Sequence, residues 1–310
     1  MLQPSVAQLQ AALSFDRLVP ALHDAFVAGA EVPLRHQHQI RGSMQTGTSL
    51  LMPAWGQGEF YGVKIVNIFQ SNQTLQIPSL HSIYILFDAN TGVPIAFLDG
   101  NEITSRRTAA AAALGVSLLA NPDASRLLIV GAGRVGSLVA PAFATVREIR
   151  QVDVWDIDAE AAQRCARGLI KLGINAISVV DLETAVRSAD IVSCATLARE
   201  PLIRADWLRP GSHLDLIGSF TPEMTEAEPT CFASSVWIDT EEAMAKSGDI
   251  LNAIHRGQFS SDRLMGTLTT LCRKQSPGRT DAAERTVFKA VGTALEDLAA
   301  AVLAYQAITG

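Results

Sequence analysis

The chain has 310 residues, 48% of them hydrophobic and 18% charged, with a formal net charge of −6. That is apolar material for one large core or two ordinary ones, and the acidic balance without a Lys/Arg run excludes nucleic acid or an anionic membrane surface as the expected partner. No uncharged apolar run approaches the ~18 residues of a membrane span, and the N-terminus lacks the basic start and apolar stretch of a secretory leader.

In chain order, residues 8 to 29 have apolar positions at helical spacing. From Val32 to Leu98 the pattern changes to strands: Ser49-Leu-Leu-Met-Pro, Gly62-Val-Lys-Ile-Val-Asn-Ile-Phe and Ser82-Ile-Tyr-Ile-Leu-Phe-Asp. Asp88-Ala-Asn-Thr-Gly92 reads as a hairpin turn before the strand Pro94-Ile-Ala-Phe-Leu-Asp. An Ala-rich helix is predicted over Thr104–Leu119, broken by Asn121-Pro122-Asp123. Beyond the break, short strands alternate with helices: Leu127–Val130, Val152–Trp155, Ala176–Val180, Ile191–Cys194, His213–Ile217 and Val236–Asp239. Such alternation implies a parallel sheet covered on both faces. A last helix is predicted over Val287–Ala307. The expected fold is α/β: a Rossmann dinucleotide-binding domain (121–285) inserted into a mixed α+β substrate and dimerisation domain (1–120 plus 286–310). In such an arrangement the substrate is expected in the cleft between domains.

The most specific local signal is Leu127-Leu-Ile-Val-Gly-Ala-Gly-Arg-Val-Gly136, followed twenty residues later by Asp156. Gly131 permits a tight turn, Gly133 lets backbone approach a pyrophosphate, and Gly136 lets the helix pack on the strand. The helix start attracts phosphate through its N–H groups and dipole. Asp156 ends the second strand where a carboxylate accepts hydrogen bonds from a ribose diol and repels a 2′-phosphate. Ile157 adds no cation and Asp158 adds negative charge. NAD(H) is therefore the expected cofactor, with NADP(H) left open because Arg134 can reach a 2′-phosphate.

Four cysteines, at 165, 194, 231 and 272, form no C-x-x-C pair. Reduced thiols and a cytoplasmic setting are expected. His36 and His38, flanking Gln37, are expected on a solvated strand or loop rather than around a metal, and no metal site is predicted. In the N-terminal region three cations bear on chemistry. Lys64 interrupts an apolar strand, a costly position unless it faces a cavity or an anion. Arg107, at the start of an apolar helix, suits bidentate capture of a carboxylate, although local chemistry does not separate it from Arg106. Arg35 follows Pro33 and by composition alone is no better than a surface residue.

The runs Gly62-Val-Lys-Ile-Val, Asp88-x-x-Thr-Gly-x-Pro-x-Ala-x-Leu-Asp-Gly100, Ile103-Thr-x-x-Arg107-Thr-Ala-Ala, Lys246-Ser-Gly-Asp-Ile and Thr286-Val-Phe-Lys-x-Val-Gly-x-Ala-x-Glu-Asp together resemble the ornithine cyclodeaminase/mu-crystallin family. The resemblance covers nearly the whole chain. It implies a homodimer acting on imines of α-amino acids, with Arg35, Lys64 and Arg107 holding the substrate carboxylate and the reacting centre. It also implies cofactor contacts from Arg107, Thr108, Arg134, Val135, Asp156, Ile157, Thr196, Leu197, Ile217, Ser219 and, in the last helix, Lys289.

One departure separates activities. Cyclodeaminases carry an aspartate in a Gly-x-Asp-x-Pro-Gly-Lys pattern, whereas this chain reads Leu216-Ile-Gly-Ser-Phe-Thr-Pro-Glu-Met. Phe220 stands at the aspartate's place, and an aromatic ring is no general base. The resemblance then implies reduction of a cyclic ketimine carboxylate: Δ1-pyrroline-2-carboxylate to L-proline, and the six-membered Δ1-piperideine-2-carboxylate to L-pipecolate. Three readings stay open beside it. They are a cyclodeaminase using a different base such as Glu223 or Glu226, an alanine/opine-type dehydrogenase, and a non-catalytic ligand binder like mu-crystallin.

Overall fold

A computed structural model describes residues 1–56 and 58–310. The elements run α1 (Val6–Ala12), α2 (Phe15–Ala28), β1 (His36–Arg41), β2 (Thr46–Trp55), β3 (Phe60–Ile68), β4 (Leu80–Asp88), β5 (Pro94–Asp99) and α3 (Gly100–Leu119). They continue with β6 (Arg126–Val130), α4 (Gly136–Phe143), β7 (Gln151–Trp155), α5 (Ala159–Lys171), β8 (Ala176–Ser178), α6 (Leu182–Ser188), β9 (Ile191–Cys194) and β10 (His213–Leu216). The remainder is β11 (Ser235–Ile238), α7 (Ala243–Lys246), α8 (Gly248–His255), β12 (Leu264–Thr267), α9 (Leu268–Cys272), β13 (Thr286–Lys289) and α10 (Ala294–Thr309). No helix among the described residues is long and apolar enough to cross a membrane.

The chain divides into two compact units, Met1–Arg107 with Thr293–Gly310, and Thr108–Gly292. The sequence places the crossings at 120/121 and 285/286, whereas the units divide at 107/108 and 292/293. The second difference has a physical origin: Thr286–Lys289 is a wholly buried strand of the parallel sheet, not the start of the last helix. A four-residue segment with only two apolar residues, Val287 and Phe288, carries no periodicity that separates strand from helix.

In the first unit, β1 to β5 form an antiparallel sheet in sequential order. Alternate residues of β3, Gly62, Lys64 and Val66, are buried on one face, and α10 packs against β2, β3 and β4. The alternation follows from the two-residue period of a strand with one covered face. Ser5 caps α1 through a capping box with Gln8. All six residues of β1, His36 and His38 included, are exposed on the outer edge.

In the second unit, eight strands lie in the order β12-β11-β13-β10-β9-β6-β7-β8, every pairing parallel. The stretch β8-β7-β6-β9-β10 is the doubly wound order, which reverses direction between β6 and β9. Leu128, Val130, Val192, Cys194, Leu214 and Leu216 fill the core on one face. Central parallel strands are covered on both sides, which explains their unbroken apolar runs. The four cysteines are buried and unbridged. Burial pushes the thiols of Cys165, Cys194, Cys231 and Cys272 up, so they are poor nucleophiles.

Candidate functional site

Two clusters, one in each unit, gather the residues singled out by sequence. The first is the mouth of the parallel sheet at the carboxyl ends of β6, β7, β9 and β10. Gly131 leaves β6 with φ +101°, and a Cβ there would stand 2.6 Å from the Ala195 carbonyl oxygen. The glycine is required both by its backbone conformation and by the close approach of the chain leaving β9. Gly133 is exposed, and a Cβ there would meet nothing within 4 Å. The turn thus offers an open backbone cradle at the head of α4, where helix N–H groups and dipole favour an anion. Gly136 packs closely on the Gly131 carbonyl.

Asp156 follows β7 and is partly buried. Its Oδ2 accepts a hydrogen bond from the Ala132 N–H at 2.6 Å and its Oδ1 one from the Asp158 N–H at 2.8 Å. The carboxylate therefore ties the glycine turn to the end of the second strand. Ile157 and Leu197 are strongly exposed, Arg134 lies exposed in the turn, and Val135 is the N-cap of α4. Thr196 follows β9; Ile217 and Ser219 follow β10 and are buried.

A carboxylate whose role differs from the one sequence suggests joins these ends. Glu226, which sequence places in a loop as a stand-in base, is wholly buried. Its Oε1 accepts from the Thr196 N–H and hydroxyl at 2.7 and 2.9 Å. Its Oε2 accepts from the Gly218 and Ser219 N–H groups at 2.7 and 3.4 Å. Burial pushes its pKa up, against the opposing pull of Lys289. With both oxygens engaged and no exposure, Glu226 is a tie between two strand ends rather than an accessible base.

Lys289 requires a correction. It lies in β13, not in the last helix, and is wholly buried. Its Nζ donates to the Leu216 carbonyl at 3.0 Å and lies 3.7 Å from Asp249 and 4.0 Å from Glu226. Asp249 in turn accepts from the Thr225 hydroxyl and from the Glu226 and Ala227 N–H groups. This lysine neutralises a buried acidic cluster, as burial of such charges demands.

The second cluster belongs to the first unit. Lys64, only 2% exposed, points from β3 to Asp297 in the first turn of α10, with Nζ 2.7 Å from Oδ2. It also donates to the Thr104 hydroxyl of α3 at 3.2 Å. Arg107, also on α3, donates from Nε to Asp297 Oδ1 at 2.9 Å and from Nη1 to Glu296 Oε2 at 2.7 Å. Both acids are completely buried.

Electrostatics bind the group together. Burial pushes the Lys64 pKa down to about 8, with Asp297 opposing and Arg107 assisting the fall. Burial also disfavours charge on Arg107, but Asp297 and Glu296 outweigh it and raise its pKa. Asp297 resists burial and stays a carboxylate because Lys64 and Arg107 hold its pKa down. Arg35, partly buried before β1, belongs to the same field: burial lowers its pKa, as does Arg107, while Asp297 raises it. Structure separates the two arginines that local chemistry could not, because Arg106 turns away to Glu102 and the Leu13 carbonyl. Thr108, the next residue, is half-buried on α3. Glu296 and Asp297 carry no assigned role in the sequence reading; the available signals were their place at the end of the run that begins at Thr286 and a pair of acids in an otherwise largely apolar helix.

Phe220 is 46% exposed on the loop after β10 and is not a core residue. Glu223 lies exposed on the same loop. No group of three or more His, Cys, Asp or Glu side chains that could hold a metal occurs among the described residues.

The ornithine cyclodeaminase/mu-crystallin family model matches residues 3–310. The Δ1-pyrroline-2-carboxylate reductase of Paracoccus denitrificans is 37% identical over 278 residues, 89% of this chain and 88% of that one. The structure of Thermococcus litoralis Δ1-pyrroline-2-carboxylate reductase in complex with NADH and L-proline aligns with a TM-score of 0.91 at 31% identity, covering 99% of this chain and 97% of the other. An archaeal alanine dehydrogenase dimer with bound NAD aligns with a TM-score of 0.89 at 25% identity, over 99% and 95% of the two chains. Across the two units, then, this chain belongs to the ornithine cyclodeaminase/mu-crystallin family.

Proposed function

We propose that the protein is an NAD(P)H-dependent ketimine reductase of the Δ1-pyrroline-2-carboxylate reductase branch, converting Δ1-pyrroline-2-carboxylate to L-proline and accepting the six-membered analogue. The observation that carries this reading is the cationic cluster combined with the missing acid. Lys64 and Arg107 are gathered on the buried carboxylates of Asp297 and Glu296, and Arg35 shares their electrostatic field, a grouping of cations that suits a substrate carboxylate. At the position where a cyclodeaminase needs a carboxylate stands Phe220, and both oxygens of Glu226 are already occupied.

The open turn at Gly133 and the helix start behind it fit a dinucleotide pyrophosphate, and Asp156 fits a ribose diol. Held by the Gly131–Gly136 turn and Asp156, NADH would supply a hydride for the imine carbon, with a proton going to the imine nitrogen. Arg107 and Arg35 bind the carboxylate, and Lys64 orients the reacting end and offers an ammonium proton. Arg107 already donates its Nε and one Nη1 hydrogen to acids, so it meets the substrate with its remaining Nη donors rather than the Nε edge. Asp156 favours NADH over NADPH. A homodimer is proposed from the uncovered β1 edge and from the dimeric alanine dehydrogenase relative; light scattering on the purified protein measures it.

The test is NADH oxidation with Δ1-pyrroline-2-carboxylate, run beside ammonia release from L-ornithine. Imine reduction without ammonia release is expected. Ammonia release without imine reduction overturns the proposal and requires another base.

A further inference from the structure

Lys64 and Arg107 come from different elements, β3 and α3, yet a single carboxylate joins them. Asp297 uses its Oδ1 for Arg107 Nε and its Oδ2 for Lys64 Nζ. It is completely buried and placed in the first turn of α10, where Thr293 caps the helix. A buried carboxylate with both oxygens on cations has its orientation defined from two sides. Removing it leaves two buried cations uncompensated.

We propose that Asp297 is a positioning residue that locks Lys64 and Arg107 as one preassembled pair of donors for the substrate carboxylate and imine. The proposal rests on the assignment of Lys64 and Arg107 to substrate made above. Asp297 itself touches no substrate in this scheme. It removes the rotamer freedom that a long lysine and arginine would otherwise lose on binding.

A second consequence is the charge of Lys64. The groups facing it are Asp297 and Glu296 from α10, Arg107 and Thr104 from α3, Tyr84 directly opposite on β4, and the field of Arg35 from the segment before β1. Burial and Arg107 favour the neutral amine, whereas Asp297 favours the ammonium. Burial thus holds the Lys64 pKa below the ordinary lysine value, and loss of the Asp297 charge should lower it further.

The experiment compares wild type with Asp297→Asn, an isosteric change that removes the charge. KM for the imine is expected to rise roughly tenfold or more, with KM for NADH moving less than about twofold. The alkaline limb of kcat/KM for the imine is expected to move down by roughly one pH unit or more. Asp297→Glu keeps the charge but changes the reach. It should raise imine KM while leaving the limb in place, and it carries the test if Asp297→Asn does not fold. Unchanged imine KM and an unchanged limb, with only a lower melting temperature, overturn the proposal and leave Asp297 a purely structural residue. Failure of the wild type to reduce any imine refutes the reading of function instead. In that case the same variants are compared by calorimetric binding of L-proline in the presence of NAD, where a loss of affinity confined to L-proline still supports positioning by Asp297 and unchanged affinity overturns it.

Discussion

Two alanine substitutions two residues apart should separate the structural and cofactor roles of the glycine turn. At Gly131 the backbone has φ +101°, and a Cβ would sit 2.6 Å from the Ala195 carbonyl oxygen. Gly131→Ala therefore adds backbone strain of about 1–3 kcal/mol and overpacking of about 1–3 kcal/mol. With a combined cost of about 3 kcal/mol, and about 2–4 °C lost per kcal/mol in a unit of this size, Tm should fall by roughly 6–12 °C. At Gly133 a Cβ meets no protein atom within 4 Å, so Gly133→Ala should leave Tm within about 1–2 °C. The space it fills is the space assigned to the pyrophosphate. Its NADH affinity, titrated by nicotinamide fluorescence, should therefore fall at least about tenfold, equivalent to about 1.4 kcal/mol. Gly133→Ala binding NADH as tightly as wild type would refute the placement of the cofactor over this turn. A Gly131→Ala protein as stable as wild type would refute the claim that the close approach to Ala195 demands glycine.

Three further outcomes follow from the site. Glu226→Gln places an amide NH2 against backbone donors and removes one of the two carboxylates within 4.0 Å of Lys289 Nζ; denaturant titration should show a loss of about 3–5 kcal/mol, and a loss below about 1 kcal/mol would contradict the buried tie. Asp156→Ser removes the carboxylate bonded to the Ala132 N–H and should lower the NADH/NADPH ratio of kcat/KM, so an unchanged ratio would dismiss Asp156 as the ribose residue. His213, wholly buried against Thr286, has its pKa pushed down to about 3 by burial, then by Arg279 and Arg147. The unfolded chain takes up this proton below about pH 6.5 and the folded chain does not. Stability from His213 is thus complete above pH 6.5 and is lost at about 1.4 kcal/mol per unit as pH falls towards 3. Replacing His213 with Gln should flatten that acid slope in Tm, and an identical slope would remove His213 as its source.

Among the functional features, those legible in sequence are local ones. Gly131, Gly133 and Gly136 could be read because a tight turn, a backbone approach and a helix–strand contact each need a residue without a side chain within a few positions of a strand. Asp156 followed because the second strand sets its distance. The parallel sheet was visible in unbroken apolar runs such as Leu127–Val130 and Ile191–Cys194, which only strands covered on both faces require. Lys64 could be flagged because a charge inside an apolar strand signals an unusual environment, and Phe220 because its chemistry departs from a motif.

Pairing was not legible. Arg107 and Asp297 are 190 residues apart, and nothing in the composition of either segment indicates that one carboxylate holds both Arg107 and Lys64. Local chemistry did not separate Arg107 from Arg106; the resemblance pointed to Arg107, and the physical reason lies in the direction each takes off α3. Lys289 was misplaced because Val287-Phe288 is too short a run to show a period, and only its pairing with β10 and β11 makes it a strand. Glu226 looked like a loop residue until the fold enclosed it between the ends of β9 and β10. The sequence by itself determined the backbone turns and the elements that repeat over a few residues. Tertiary structure alone decided which buried charges meet, because desolvation and ion pairing depend on what long-range packing brings within a few ångströms.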